Sequence, residues 1–161
     1  MKFYIFLLLT VFSNLLIAQN IADARTQALG STVTVTGIVT NGSEMPTVRY
    51  MQDSSAGIAI YDNLLEDVER GDSITVTGKL DDFNGLLEVI DVTFTNHGQT
   101  DQIIPAISTP NDVNESNEAE LLKIENAVFS DGGGFFSQGT FEFESAGLTS
   151  VIFVKGGSQL D

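Results

Sequence analysis

The side chains able to do chemistry in this sequence are mostly carboxylates, and they are scattered. His97 is the single histidine, and no serine lies beside it in a nucleophile setting. A hydroxyl–imidazole–carboxylate triad is therefore unsupported, and His97 reads as a turn or surface residue. Cysteine is absent, which removes disulfides, thiolate zinc sites and cysteine nucleophiles. The pairs Asp81-Asp82 and Glu66-Asp67 would serve glycoside hydrolysis only if two carboxyls faced each other across a cleft at the required separation. Among 22 acidic residues, solvation is the plainer role. A calcium ion wants carboxylate and carbonyl oxygens, which Asp81-Asp82-Phe83-Asn84-Gly85 and Asp131-Gly132-Gly133-Gly134 offer. Counting from Asp82, however, Leu86 falls at the fifth position, where an EF-hand loop needs another oxygen. The expectation is a non-enzymatic chain with no catalytic residue, no metal and no cofactor.

Charge and length narrow the partners. The chain has 161 residues, 7 basic against 22 acidic, a net charge of −15 and 42% apolar residues. That is enough apolar content for a packed core and too much for a disordered acidic tail. A phosphate backbone is repelled by such a surface. Lys2 is followed by an apolar run, Phe3 to Leu9, which resumes through Val11, Phe12 and 15–17 and ends at Ala18 before Gln19. This is the layout of a signal peptide over residues 1–18, interrupted by Thr10, Ser13 and Asn14 and too short for a membrane anchor. Its removal takes Lys2 and leaves six basic against 22 acidic residues, a charge of −16. The expected location is secreted or cell-surface, with no stable membrane span in the mature chain.

The elements that position the remaining polar and aromatic residues read as β-strands. Residues 32–40, TVTVTGIVT, alternate with Val33, Val35 and Val39 on one face and Thr32, Thr34, Thr36 and Thr40 on the other. The same design returns in 73–80, and GSTVTVTG at 30–37 aligns with GDSITVTG at 71–78 at a spacing of 41. In both, a glycine interrupts the inward face near the end, where a strand can bend or bulge. Residues 48–61, VRYMQDSSAGIAIY, form a hairpin around Asp53-Ser54-Ser55-Ala56-Gly57. Residues 63–70 make a short helical link, and Asn84-Gly85 is a tight-turn signal between 74–82 and 86–94. Three strands, a helical link and two strands are the order of a five-stranded OB-fold barrel, an all-β architecture.

At this point the sequence resembles a family. IADARTQALGSTVTVTGIVT, YMQDSSAGIAIYD and RGDSITVTGKLDDFNGLLEV are similar to the OB-like domains of uncharacterised function found in secreted bacterial proteins. The resemblance covers roughly residues 21 to 95 and rests on Gly37, Gln52, Asp53, Gly57, Tyr61, Gly71, Asp72, Gly78, Asn84, Gly85 and Glu88. Most of these are turn or bend residues, so the resemblance implies a fold more than an activity.

The domain layout follows as residues 1–18 signal peptide, 19–100 OB-fold domain, 101–120 connector and 121–161 a partial second OB-like module. The connector holds two prolines and one helical turn after Thr109-Pro110. Val33, Val35, Gly37 and Val39 align with Leu122, Ile124, Asn126 and Val128 at a spacing of 89. Val48-Arg49-Tyr50 aligns with Phe141-Glu142-Phe143 at 93. Counterparts of the fourth and fifth strands do not follow, so the chain is expected to be a piece of a longer protein. The other reading packs the last strands onto the first module as an extended sheet.

OB-folds bind ligands across strands two and three and the loops joining strands one to two and four to five. Here those loops are 40–47 and 81–85. The candidate ligand contacts are Arg49, Tyr50, Gln52, Tyr61, Phe83 and Asn84. The pattern leaves open whether Val48 and Tyr50 or Arg49 and Met51 face outward. Only Arg49 and Lys79 lie nearby as cations, and aromatic rings without cations suit a sugar ring or a protein surface better than a polyanion. The expected function is a non-catalytic binding or spacer module of a secreted or cell-surface bacterial protein, whose ligand the sequence does not name, a glycan or a protein being the open candidates and nucleic acid disfavoured by the charge. The alternatives are an accessory OB domain of an extracellular nuclease and a carbohydrate-binding module.

Overall fold

The computed structural model describes residues 18–45, 47–130 and 138–155. The expected signal peptide, apart from Ala18, and Asp131 with its three glycines lie outside the described residues.

A short helix, α1 (Ile21–Arg25), is capped by Asn20, whose side chain accepts from the Asp23 amide. It is followed by β1 (Thr32–Val39), β2 (Val48–Gln52), β3 (Gly57–Tyr61), β4 (Asp72–Phe83) and β5 (Leu86–Gln99). These five strands close into a barrel in the order β1-β2-β3-β5-β4. All neighbours are antiparallel except β3 and β5. That order, with closure of β1 on β4, is the OB-fold. The alternation seen in sequence is what closes it. Val33, Val35, Val39, Ile74, Val76 and Leu80 are buried inside with Met51, Ile58, Ile60 and Val89. Outside, the opposing threonines pair across the β1–β4 ladder, Thr34 with Thr77 at 2.8 Å and Thr36 with Thr75 at 2.7 Å. Ile21 and Ala24 of α1, and Leu65 and Val68 of the β3–β4 link, add to the same core. Within 63–70 the regular part is one 3₁₀ turn, Asn63–Leu65, capped by Asp62, shorter than the helix-like spacing suggested.

The two strand glycines are where the chain curls. A Cβ on Gly78 would stand 2.6 Å from the Ile90 carbonyl, and one on Gly37 would stand 2.9 Å from the Gln52 carbonyl. At Gly78 the β4–β5 register shifts between Thr77 and Lys79, a bulge that bends the long hairpin. At Gly37 β1 passes from its pairing with β4 toward β2, which it joins through Ile38 and Val39. Asn84 (φ 55°) and Gly85 (φ 96°) turn β4 into β5, as an Asn-Gly pair does in a two-residue hairpin loop.

The remaining described strands are β6 (Ala106–Ser108), β7 (Leu122–Ile124), β8 (Val128–Phe129), β9 (Gly139–Ser145) and β10 (Leu148–Val154). β6 and β7 pair in parallel, and β8, β9 and β10 form an antiparallel sheet. The segment 101–120 is therefore more than a connector: β6 pairs with β7, and Pro110–Asp112 and Glu115–Asn117 are 3₁₀ turns. Phe143 pairs with Ser150 as Met51 pairs with Ile58. The ladder registers of these two hairpins coincide at a spacing of 92 residues, beside the 93 at which their sequences align.

This second part is tied to the barrel along one line. Arg25 donates to the Gly57 carbonyl (2.9 Å) and forms an ion pair with Glu118 (3.1 Å). Glu118 also accepts from the Leu87 amide, and Gln52 Oε1 accepts from the Leu121 amide at 3.0 Å. The chain at Ala119 crosses so close to β3 that a Cβ on Gly57 would meet its backbone at 2.4 Å.

Candidate aromatic binding site

The hairpin β2–β3 settles which side chains look outward. Arg49 and Met51 point inward and Tyr50 outward, because Arg49 and Met51 are fully buried while Tyr50 is partly exposed. Arg49 therefore leaves the set of ligand contacts. Its guanidinium donates to the carbonyls of Val68 (2.7 Å), Glu66 (3.2 Å), Val48 (3.2 Å) and Met45. Burial pulls its pKa down, and Glu69, Glu44 and Glu66 partly offset this; an arginine stays charged regardless. It sews the β1–β2 loop to the β3–β4 link.

Tyr50 from β2, Tyr61 from the end of β3 and Phe83 from the end of β4 line one open cavity of about 560 Å³. Tyr61 is 48% and Phe83 63% exposed, so ring faces are presented to solvent. Met45, Thr47 and Val48 come from the β1–β2 side, Leu86 and Glu88 from β5. Asn84 does not line the cavity; its work is the left-handed turn that sets Phe83 and Leu86 at the rim. Gln52 shares the outward face of β2 with Tyr50 but lies outside the cavity, its Oε1 accepting from the Leu121 amide.

Two wall residues, Phe153 and Lys155, come from the end of β10. Phe153 is 62% exposed. No spacing in the sequence announces them, because their approach to Tyr61 and Phe83 is set by the tertiary placement of the second sheet. Glu88 was named in sequence only as part of a turn-rich resemblance.

Among the described residues, the site carries one acidic and one basic side chain, Glu88 and Lys155. Burial, and then Glu118 and Glu88, push the Tyr50 phenol up, so it stays a neutral donor. Burial and Asp81 likewise push the Glu88 carboxyl up. Of the nearby cations anticipated from sequence, Arg49 is buried against carbonyls and Lys79 forms an exposed ion pair with Asp91 at 2.9 Å. Arg25, Arg70 and Lys123 likewise pair with Glu118, Glu44 and Glu125.

The other sequence candidates do not assemble. His97 lies on the exposed end of β5, with Nε2 2.8 Å from Thr75 Oγ1. Among the described residues no three His, Asp or Glu side chains converge as metal ligands, and no helix is long and apolar enough to cross a membrane.

No protein-family model matches this chain, and no curated protein matches it. Among solved structures it is similar to the hypothetical protein YgiW from E. coli, at 18% identity over 50% of this chain and 89% of that one, with a TM-score of 0.42. It is also similar to the p204 HINb domain, at 17% identity over 55% of this chain and 53% of that one, again with a TM-score of 0.42. The class rests on the strand order itself: an all-β, OB-like barrel.

Proposed function

We propose that this chain is a non-catalytic binding module of an exported bacterial protein, holding an uncharged, ring-bearing ligand of carbohydrate type on the Tyr50–Tyr61–Phe83–Phe153 face. The observation that carries the reading is that four aromatic side chains line one solvent-open cavity whose charged members are Glu88 and Lys155. Aromatic faces stack on the apolar faces of sugar rings, and a neutral phenol and a carboxyl rim give hydroxyl groups partners. The accessory-nuclease reading needs several cations along the groove; among the described residues Lys155 is the one basic side chain in the cavity lining, and Arg49 is buried. Export is proposed from the apolar run that ends at Ala18.

We also read residues 106–154 as a partial second copy of the barrel. What supports this is register. The parallel bridge Gln19↔Val35 recurs as Ser108↔Ile124, at a spacing of 89. The cap Asn20 recurs as Thr109 at the same spacing. Every β2–β3 pair from Val48↔Tyr61 to Gln52↔Gly57 recurs between β9 and β10 at 92.

The test is binding of residues 19–161 to immobilised neutral oligosaccharides and to single-stranded DNA. Saturable binding to a glycan, reduced roughly tenfold or more by Tyr61→Ala or Phe83→Ala with unchanged melting, is the expected result. Saturable DNA binding that weakens linearly with log salt would overturn it.

A further inference from the structure

The second copy, if read as above, has an inner face that the first copy covers fully and this one covers only in part, with Phe143 buried, Leu122, Ile124 and Phe129 half-buried and Ile152 exposed. In the barrel, β1 pairs with β4 from Thr32 to Ile38, and β3 pairs with β5 at Ala59 and Ile60. Among the described residues, the corresponding outer edges of β7 and β10 pair with nothing. β6 takes the other edge of β7, on the side where Gln19 meets β1.

The side chains tell the same story. At a spacing of 89, Val33 and Val35 correspond to Leu122 and Ile124. Across the break at Asn126, whose φ of 54° marks one inserted residue, the spacing becomes 90, and Val39 corresponds to Phe129. At 92, Met51 and Ile60 correspond to Phe143 and Ile152. In the barrel these inward positions are 0–1% exposed; Ile152 is 41% exposed where Ile60 is 0%. Leu122, Ile124, Phe129, Phe143 and Ile152 instead line an open cavity of about 820 Å³.

The geometry points to a specific occupant: a two-stranded antiparallel β-hairpin of the same polypeptide, C-terminal to β10, completing a second five-stranded barrel. Its first strand runs antiparallel to β7 and its second parallel to β10 near Val151 and Ile152, as β4 and β5 do around β1 and β3. Its inward residues are apolar at alternate positions, because the positions they face are Leu122, Ile124, Phe129, Phe143 and Ile152. An open apolar face with two unpaired edges is otherwise an aggregation template. The inference rests on the second-copy reading, and its test separates the two.

Amide hydrogen exchange is measured on residues 19–161 and on the polypeptide translated from the same gene to its own stop codon. In residues 19–161, β9 is protected while the amides of 122–126 and the outward amides of β10 exchange freely. In the gene's own product those amides slow by roughly a hundredfold or more, and binding of an apolar dye to the second sheet is lost. Edges that stay unprotected in the gene's product, or a stop codon directly after residue 161, overturn the hairpin while leaving the second-copy reading intact. Edge protection in residues 19–161 that grows with protein concentration overturns it in favour of a second copy of the chain. An unprotected β8–β9–β10 ladder overturns both readings.

Discussion

Arg49 shows how a residue type can mislead when its facing is unknown. A lone arginine beside two tyrosines is a natural ligand contact, yet here its donors reach four carbonyls, of which those of Val48 and Met45 also accept from Asn41 and from the Val48 amide. Arg49→Met is expected to lower stability by about 2–4 kcal/mol in urea unfolding, because the buried Val68 carbonyl loses its donor and the tie from the β1–β2 loop to the β3–β4 link is cut, even though the apolar stem is kept. An unchanged midpoint with lost ligand binding would restore Arg49 to the site. Asp72 is a second residue whose role is internal. Burial raises its carboxyl pKa, but the Glu69 amide and the Asn96 and Gln99 side chains outweigh this and hold it below the usual carboxylate range. Asp53 is lowered in the same way, against burial, by Ser55 and the amides of Ile21, Ser55 and Ala56. A depressed folded-state pKa gives stability that is full above the ordinary carboxylate range and lost as pH falls through the folded value. Glu88, being raised, works in the opposite sense, and its ionisation costs stability as pH rises through its folded pKa. Asp72→Asn should therefore cost about 1–3 kcal/mol near pH 7 and flatten the loss of stability between about pH 5 and pH 2. A variant as acid-sensitive as the parent would remove Asp72 from this role.

Among the elements, the legible ones were those whose periodicity meets one buried face. The alternation in β1 and β4, the Asn84-Gly85 turn and the glycine-marked bends give strand order and curl, because each is a local rule with a local signature. The facing of β2 was not legible: Val48 and Tyr50 are as apolar as Met51, and a buried arginine inverts the usual polarity of the pattern. On the second-copy reading proposed above, Phe143 matches Tyr50 in type, while the register of its ladder matches that of Met51. The glycines give an element-level test. Gly78→Ala must push against the Ile90 carbonyl and Val89 inside the barrel, and is expected to destabilise by about 1–3 kcal/mol. Gly57→Ala meets the backbone at Ala119 instead. It should leave the barrel's amide protection intact and speed proteolytic cleavage between 115 and 121 severalfold. Equal effects of the two substitutions would contradict the separation of barrel wall from docking line.

At the scale of the whole molecule, the candidate site belongs to neither part alone. Tyr50, Tyr61 and Phe83 were within reach of sequence reasoning, because strand order alone puts strands two and three beside the β4–β5 turn. Phe153 and Lys155 were not, because the line from Arg25 and Gln52 to Glu118 and Leu121 has no sequence signature. The strongly acidic surface and the single basic side chain among the described residues of the cavity lining fit the aromatic face to an uncharged ring. The most direct test labels the tyrosine and phenylalanine rings with carbon-13 and follows their resonances in residues 19–161 as a mixture of neutral soluble oligosaccharides is added. The account predicts that Tyr50, Tyr61, Phe83 and Phe153 shift together and saturably while Phe94, packed against the barrel core, and the tilted Phe129–Phe143 pair stay still. Shifts confined to other rings, or absent with oligosaccharides and present with a single-stranded oligonucleotide, would contradict it.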